Sequence, residues 1–464
     1  MPTSRRRRVR RSALPRQRAN KRLCEDINLR VDLWSALVSF CITCYSVAMK
    51  LSETLRARGF VYQFSAETLE EITDGEKRTI YLGVDPTAES IHAGNFANYM
   101  LLRHFVDAGH KVILLIGGGT GMIGDPKPDV ERPLTPPEVV AARADKLTAQ
   151  AKNLLGGVEI EVVNNYDWLG KLTLIDFLRD IGKHFTVNNL MKKDAIAKRL
   201  ESEEGITYTE FAYPLLQGYD FWHLFTTRGV DVQVSGSDQW GNIMAGVELI
   251  RRKEGKSAYA LTIPLITDKA TGKKFGKSEG NAVWLDPQMT SPFQFYQFWL
   301  NASDESVEDY LKIFTLLPLE DIAAVMQEQQ GSPGARAAQK KLAYEVTKLV
   351  HGEEQAKRVV SVTELLFGNG DLVALDSDGR DLLLGSAPWY RVVGNESIVD
   401  MLVSTGLAPS KREARQLLQD GAITLNGDVL VESEDKIYPG DAAIFINGLA
   451  ILKRGKKNLR VLVG

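Results

Sequence analysis

From Thr79 onward the apolar positions alternate between short unbroken runs and longer stretches in which they recur every three or four residues. Thr79 to Val84 and Lys111 to Ile116 are runs of the first kind, and Val158 to Val163 and Val230 to Val234 repeat the form. Ala93 to Ala108 and Pro136 to Leu155 are of the second kind and predict helices. Apolar runs without polar alternation predict strands covered on both faces, which means parallel strands joined by helices. The expected fold is therefore α/β, with a doubly wound, Rossmann-like parallel sheet whose ligands bind beyond the carboxyl ends of the strands. Ahead of it, Met49 to Arg58 opens as an amphipathic helix.

The pattern changes after about residue 290. Strand-like runs give way to helical spacing, as in Gln339 to Val350, where Leu342, Val346 and Leu349 share a face. Gly- and Asp-rich sequence from Gly368 to Gly379 reads as part of a linker. Beyond Asn395 a compact basic unit is expected, with helices Ile398 to Ser404 and Lys411 to Gln419, and strands Ala422 to Leu425 and Ala442 to Ile446. It closes on the cationic run Lys453-Arg454-Gly455-Lys456-Lys457. The expected division is an extension over 1–48, an α/β domain over 49–290, a helical domain over 291–367, a linker over 368–394 and a small α+β domain over 395–464.

Composition alters this picture mainly at the amino terminus. The net charge of −2 conceals a segment, residues 1–48, with eleven Arg and Lys against three acids, or +8, ahead of a body at −10. Leu33 to Met49 is apolar enough to touch the lower length limit for a membrane span, but it is interrupted by Ser, Thr and Cys. The segment reads as an accessory extension or a misplaced start, with the functional chain opening at Met49. Its Cys24, Cys41 and Cys44 are the whole cysteine content, so neither disulfides nor cysteine-bound metal are expected to support the body.

Two short motifs carry the chemistry. Tyr81-Leu82-Gly83-Val84-Asp85-Pro86-Thr87 leads into His92-Ala93-Gly94-Asn95, at a junction between an expected strand and helix where backbone N–H groups and an imidazole can face phosphate oxygens. Lys274-Phe275-Gly276-Lys277-Ser278 sets two cations three residues apart on a glycine-hinged loop, suited to charge developing on a leaving pyrophosphate. A lone histidine motif or a lone pair of lysines is commonplace, a capping residue or a solvated basic turn. Their combination with a glycine-rich strand end at Gly117 to Gly121 points to nucleotide activation.

With these motifs, the stretches Gly117 to Pro126, Asn164 to Trp168, Asp180 to Phe185, Thr209 to Tyr213, Leu216 to Asp220, Gln233 to Asn242 and Lys274 to Asp286 make the chain from Met49 resemble the bacterial tyrosyl-tRNA synthetases, class I aminoacyl-tRNA synthetases. The resemblance implies that Tyr81 and Asp220 bind the phenolic hydroxyl of tyrosine, one donating and one accepting. Phenylalanine would leave both unpaired. It further implies that Asp125, Tyr213 and Gln217 receive the ammonium, with Gln239 and Gln233 at the junction of tyrosine and phosphate. Gln217 and Asp220, three apart, share a helical face. Pro214 is expected in the first helical turn, with Tyr213 at or just before the helix start.

ATP is implied to meet His92, Asn95, Thr87, Gly83, Asp85 and Gly94, then Gly236 and Asp238 at the ribose, and Lys274, Lys277 and Ser278 at the phosphates. Magnesium is expected to arrive with ATP, and no protein-bound metal is expected. Two departures stand out: the commonest form of the histidine motif ends in His where this chain has Asn95, and the segment after Asp125 leaves Lys127 and Arg132 as candidates only. Leu407 to Arg415, followed by Gly421 to Gly427, resembles an RNA-binding module of ribosomal-protein S-four type, with Lys411, Arg412 and Arg415 as a phosphate-facing stripe.

The implied reaction is ligation of L-tyrosine to the 3′ end of tRNA(Tyr) through tyrosyl-adenylate, by a cytoplasmic homodimer without membrane attachment. A tryptophan-specific sister enzyme is the nearest alternative, and a catalytically silent RNA-binding paralogue the next.

Overall fold

The computed structural model describes residues 49–125, 135–201, 205–272, 275, 277–278, 281–368, 370–430, 436–437, 441, 443–455 and 458–464, with the backbone alone at 194–195, 277–278, 281 and 436. Cys24, Cys41, Cys44, Lys127, Arg132 and Lys274 lie outside the described residues.

Six strands form the main sheet: Gln63–Phe64 (β1), Thr79–Val84 (β2), Lys111–Ile116 (β3), Glu161–Asn164 (β4), Val232–Gly236 (β5) and Tyr259–Ile263 (β6). Their order is β1-β6-β5-β2-β3-β4, with every neighbouring pair parallel except β1 with β6. The chain moves outward from β2 through β3 to β4, then returns to β5 on the other side of β2. That reversal is where ligands of such sheets bind. It puts Tyr81 directly beside Gln233, partners in the β2–β5 register.

Helices Leu51–Arg58 (α1), Ala93–Asp107 (α2), Pro137–Leu154 (α3), Asp194–Glu201 (α4), Tyr208–Arg228 (α5) and Trp240–Glu254 (α6) accompany this sheet. Left-handed glycines end two of them, Gly229 after α5 and Gly255 after α6, with φ of 68° and 62°. Pro214 lies inside α5 rather than in its first turn. The helix begins earlier than expected because Thr207 and Glu210 form a capping box, a signal strong enough to start a helix ahead of a proline.

Helices Pro292–Leu300 (α7), Val307–Phe314 (α8), Leu319–Gly331 (α9), Ala337–His351 (α10) and Glu353–Phe367 (α11) follow, and their buried faces join the core of the sheet domain. The stretch read as a linker is structured over much of its length. Asp376 caps helix Ser377–Ser386 (α12) through the Gly379 N–H, and Trp389–Arg391 (β7) pairs in parallel with Asn458–Val463 (β11).

In the last unit the sheet order is β9-β8-β10-β11-β7, with Ile423–Leu425 (β8), Asp428–Val429 (β9) and Leu449–Arg454 (β10). Helices Ile398–Ser404 (α13) and Lys411–Gln419 (α14) cover one face. Leu449, Ile451, Leu459, Val461 and Val463 turn the other face into the core shared with the helical region. Two strand readings need correction. The strand expected at Val158 to Val163 is Glu161–Asn164, and no strand spans the described part of Ala442 to Ile446. Instead β10 and β11 pair antiparallel, with Arg454 opposite Asn458.

Candidate active site

The two motifs meet because the chain just past the lysine loop pairs with the histidine motif. The Ala93 N–H donates to the Val283 carbonyl at 2.8 Å and the Leu285 N–H to the Ile91 carbonyl at 2.9 Å, flanking a bridge between His92 and Trp284. His92 is the N-cap of α2, with extended backbone and no side-chain cap bond. A Cβ on Gly94 would lie 2.9 Å from the His92 ring and 3.0 Å from the Phe275 carbonyl, so the glycine is what lets the lysine loop approach α2. The Phe275 ring is anchored among Phe298, Trp299, Tyr310 and Phe314, with centroid separations of 4.6 to 5.2 Å. Lys277 and Ser278 then pair antiparallel with Ala282 and Asn281.

Beyond the ends of β2 and β5 opens a cavity of about 220 Å³. Of the sequence candidates, Tyr81, Gly83, Asp85, Thr87, Asn95, Asp125, Tyr213, Gln217, Asp220, Gln233, Gly236, Asp238 and Gln239 line it. His92 and Gly94 stand at the start of α2, in the same turn as Asn95.

At the closed end, Tyr81 and Asp220 are fully buried together with Gln233. Asp220 accepts from Asn165 Nδ2 at 2.8 Å and Trp168 Nε1 at 2.7 Å. Burial pushes its carboxyl up to about 7, opposed by those two donors. Burial and the nearby Asp220 also push the Tyr81 phenol well above its ordinary range. The Tyr81 hydroxyl and Gln233 Oε1 are buried with no hydrogen-bond partner among the described residues. Buried polar atoms are normally paired, so two orphans in adjacent register mark where a ligand's polar group belongs.

Two more carboxylates surround the middle of the cavity. Asp85 accepts from the Tyr213 hydroxyl at 2.8 Å and the Thr120 hydroxyl at 2.7 Å. Asp125 accepts from Gln239 Nε2 at 2.8 Å and Asn242 Nδ2 at 3.0 Å. The Tyr213 phenol is raised well above its ordinary range by burial first, then by Asp85 and Asp125. Asp85, expected at the nucleotide, bonds the Tyr213 hydroxyl through its carboxylate. Asp85 reaches it over Gly117, where a Cβ would come within 2.0 Å of the carboxylate oxygen.

Several residues were missed. Asn165 and Trp168 fall in a matching stretch but look like loop residues, since only the fold brings them to Asp220. Asn98, one turn after Asn95, lines the cavity with a buried Oδ1 that has no hydrogen-bond partner among the described residues. Lys193 donates to the Gly241 carbonyl beside the Gly236 to Gln239 turn, and burial lowers its ammonium to about 8. In the last unit the structure uses part of the cationic end internally. Lys453 donates to the Leu365 carbonyl at the end of α11, Arg454 bonds Leu407 and Glu413, and Lys411 pairs with Asp400. Arg412 and Arg415 are exposed on α14.

The chain is similar to known proteins along most of its length. Residues 73–368 match the model of class I tRNA synthetases of the W and Y type, and residues 383–462 match the C-terminal domain model of tyrosine–tRNA ligases. A tyrosine–tRNA ligase of Streptococcus equi subsp. zooepidemicus is 47% identical over 89% of this chain and 100% of its own length. One from Streptococcus pyogenes is 46% identical with the same coverage. Among solved structures, a C-terminally truncated mitochondrial tyrosyl-tRNA synthetase of Aspergillus nidulans superposes with a TM-score of 0.63 at 32% identity, covering 69% of this chain and 95% of that one.

Proposed function

The chain belongs to the tyrosine–tRNA ligases among the class I tRNA synthetases, and on that premise we propose how its cavity divides the work of activating L-tyrosine with ATP. The observation that carries the reading is the closed end of the cavity. An unpartnered Tyr81 hydroxyl and a buried Asp220 carboxylate suit a phenolic hydroxyl, which donates to one and accepts from the other. An indole N–H could donate to Asp220 but could not accept from Tyr81. The carboxylates of Asp85 and Asp125, with Tyr213 and Gln217, give the middle of the cavity the acceptors that an ammonium needs.

ATP then lies toward the mouth. Asp238 accepts from ribose hydroxyls beside Gly236; Thr87, His92 and Asn95 bind the phosphates, and Lys274, Lys277 and Ser278 are assigned to the phosphates by the family likeness alone. The tyrosine carboxylate oxygen attacks the α-phosphorus in line, and the bond to the β-phosphate oxygen breaks, giving tyrosyl-adenylate and pyrophosphate. The terminal ribose hydroxyl of tRNA next attacks the tyrosyl carbonyl, its proton is lost, and AMP leaves. Catalysis here is positioning together with stabilisation of charge as it develops, without a protein nucleophile. Magnesium enters as part of the nucleotide substrate.

The same reading assigns Arg412 and Arg415 to tRNA phosphates. It also assigns a homodimer, because Leu174, Ile175 and Val187 between β4 and α5, and Tyr208 at the start of α5, are each 59% to 70% accessible, and the family likeness assigns the protein to the cytoplasm. Among the described residues no helix is long and apolar enough to cross a membrane. Amino-acid-dependent ATP–pyrophosphate exchange tests the substrate: tyrosine should drive exchange, whereas exchange driven by tryptophan, or none at all, would overturn the reading.

A further inference from the structure

Helix α5 presents four polar residues on one stripe. Glu210, Tyr213, Gln217 and Asp220 follow at intervals of three, four and three residues, so they lie along a single face. The last three open on the cavity. A small rotation of the helix about its axis would carry all of them out of position together. Two are tied from outside the helix: Asp220 by Asn165 and Trp168, Tyr213 by Asp85.

Glu210 is tied as well, although it does not line the cavity. Its Oε2 lies 3.1 Å from Arg199 Nη2 on α4, with the two side chains only 3% and 4% exposed. Among the described residues no other ion pair is buried on both sides to this degree. The same oxygen accepts from the Thr207 N–H at 3.3 Å, while Oε1 accepts no hydrogen bond among the described residues. Helix capping does not explain the charge, because glutamine serves equally in a capping box. Net stability does not explain it either, because desolvation offsets most of the attraction in a buried pair.

We propose that Arg199 and Glu210 are a positioning pair that sets the rotation of α5, presenting its stripe to tyrosine before tyrosine binds. The inference rests on the reading of that stripe as the tyrosine contacts. Glu210→Gln keeps the cap and removes the charge, Arg199→Met removes the partner, and Arg199→Lys keeps a cation in reach. Tyrosine affinity is measured by equilibrium dialysis, KM for each substrate by ATP–pyrophosphate exchange, and Tm alongside.

The first two variants should weaken tyrosine binding about tenfold and leave KM for ATP within about twofold. Arg199→Lys should recover most of the loss, and the Glu210→Gln, Arg199→Met double variant should be no worse than either single change. Unchanged tyrosine affinity, or equal rises in both KM values with a lowered Tm, would overturn the proposal. Should Glu210→Gln fail to fold, Arg199→Lys against Arg199→Met still decides it. Wild-type protein without tyrosine-dependent exchange would instead sink the underlying reading.

Discussion

Asp220 is the residue on which burial acts most directly. A carboxyl held at about 7 in the folded protein and near 4 in the unfolded chain binds its proton more tightly when folded. Folding is therefore favoured by protonation between these values, and the contribution of Asp220 to stability falls as pH rises from about 4 through 7. Asp220→Asn, which has no proton to lose, should flatten that part of the profile. Its Tm relative to wild type should be more favourable by a few degrees at pH 8 than at pH 5, as thermal unfolding at the two values would reveal. For binding the sign reverses, since the ionised carboxylate is the stronger acceptor. Tyrosine affinity should rise between pH 6 and 8 in the wild type and stay flat in Asp220→Asn.

At the scale of elements, the meeting of two distant motifs depends on Gly94. Alanine there is a better helix former by up to about 1 kcal/mol, yet its Cβ would press on the His92 ring and the Phe275 carbonyl. Gly94→Ala should keep or raise Tm and lower kcat for exchange by at least about tenfold, with tyrosine affinity unchanged. A parallel loss of tyrosine binding would count against this account of the junction. The elements also divide by legibility. β2, β3 and α2 are plain in the sequence because burial on both faces, or on one stripe, writes itself as an apolar run or period. The start of α5 is hidden because Pro214 draws the eye past the capping box of Thr207 and Glu210. Leu449–Arg454 is obscured because Lys453 and Arg454 are strand residues whose cations are used internally, on Leu365 and on Leu407 with Glu413. Asn165 and Trp168 could not have been assigned to Asp220 from spacing, since 55 and 52 residues separate them from it.

At the scale of the whole molecule, the last unit is docked rather than tethered. Its sheet shares a core with the helical region, and Arg380 and Asn447 add hydrogen bonds across the junction. Arg412 and Arg415 are thereby held in a fixed direction. Replacing both with alanine should weaken tRNA binding and its salt dependence, while tyrosine-dependent exchange persists. The apolar face between β4 and α5 belongs to this scale too. Leu174→Asp with Ile175→Asp should shift sedimentation from dimer to monomer, and a wild type that sediments as a monomer would remove that assignment.

Selection of tyrosine at the closed end of the cavity is the central claim, and it rests on the Tyr81 hydroxyl being completed by the substrate. The direct test is the ratio of kcat/KM for tyrosine over phenylalanine, measured by ATP–pyrophosphate exchange in the wild type and in Tyr81→Phe. Removal of one buried hydrogen-bonding partner is worth about 0.5 to 1.5 kcal/mol, so the ratio should fall by roughly three- to tenfold, chiefly through weaker use of tyrosine. An unchanged ratio in Tyr81→Phe would contradict the claim.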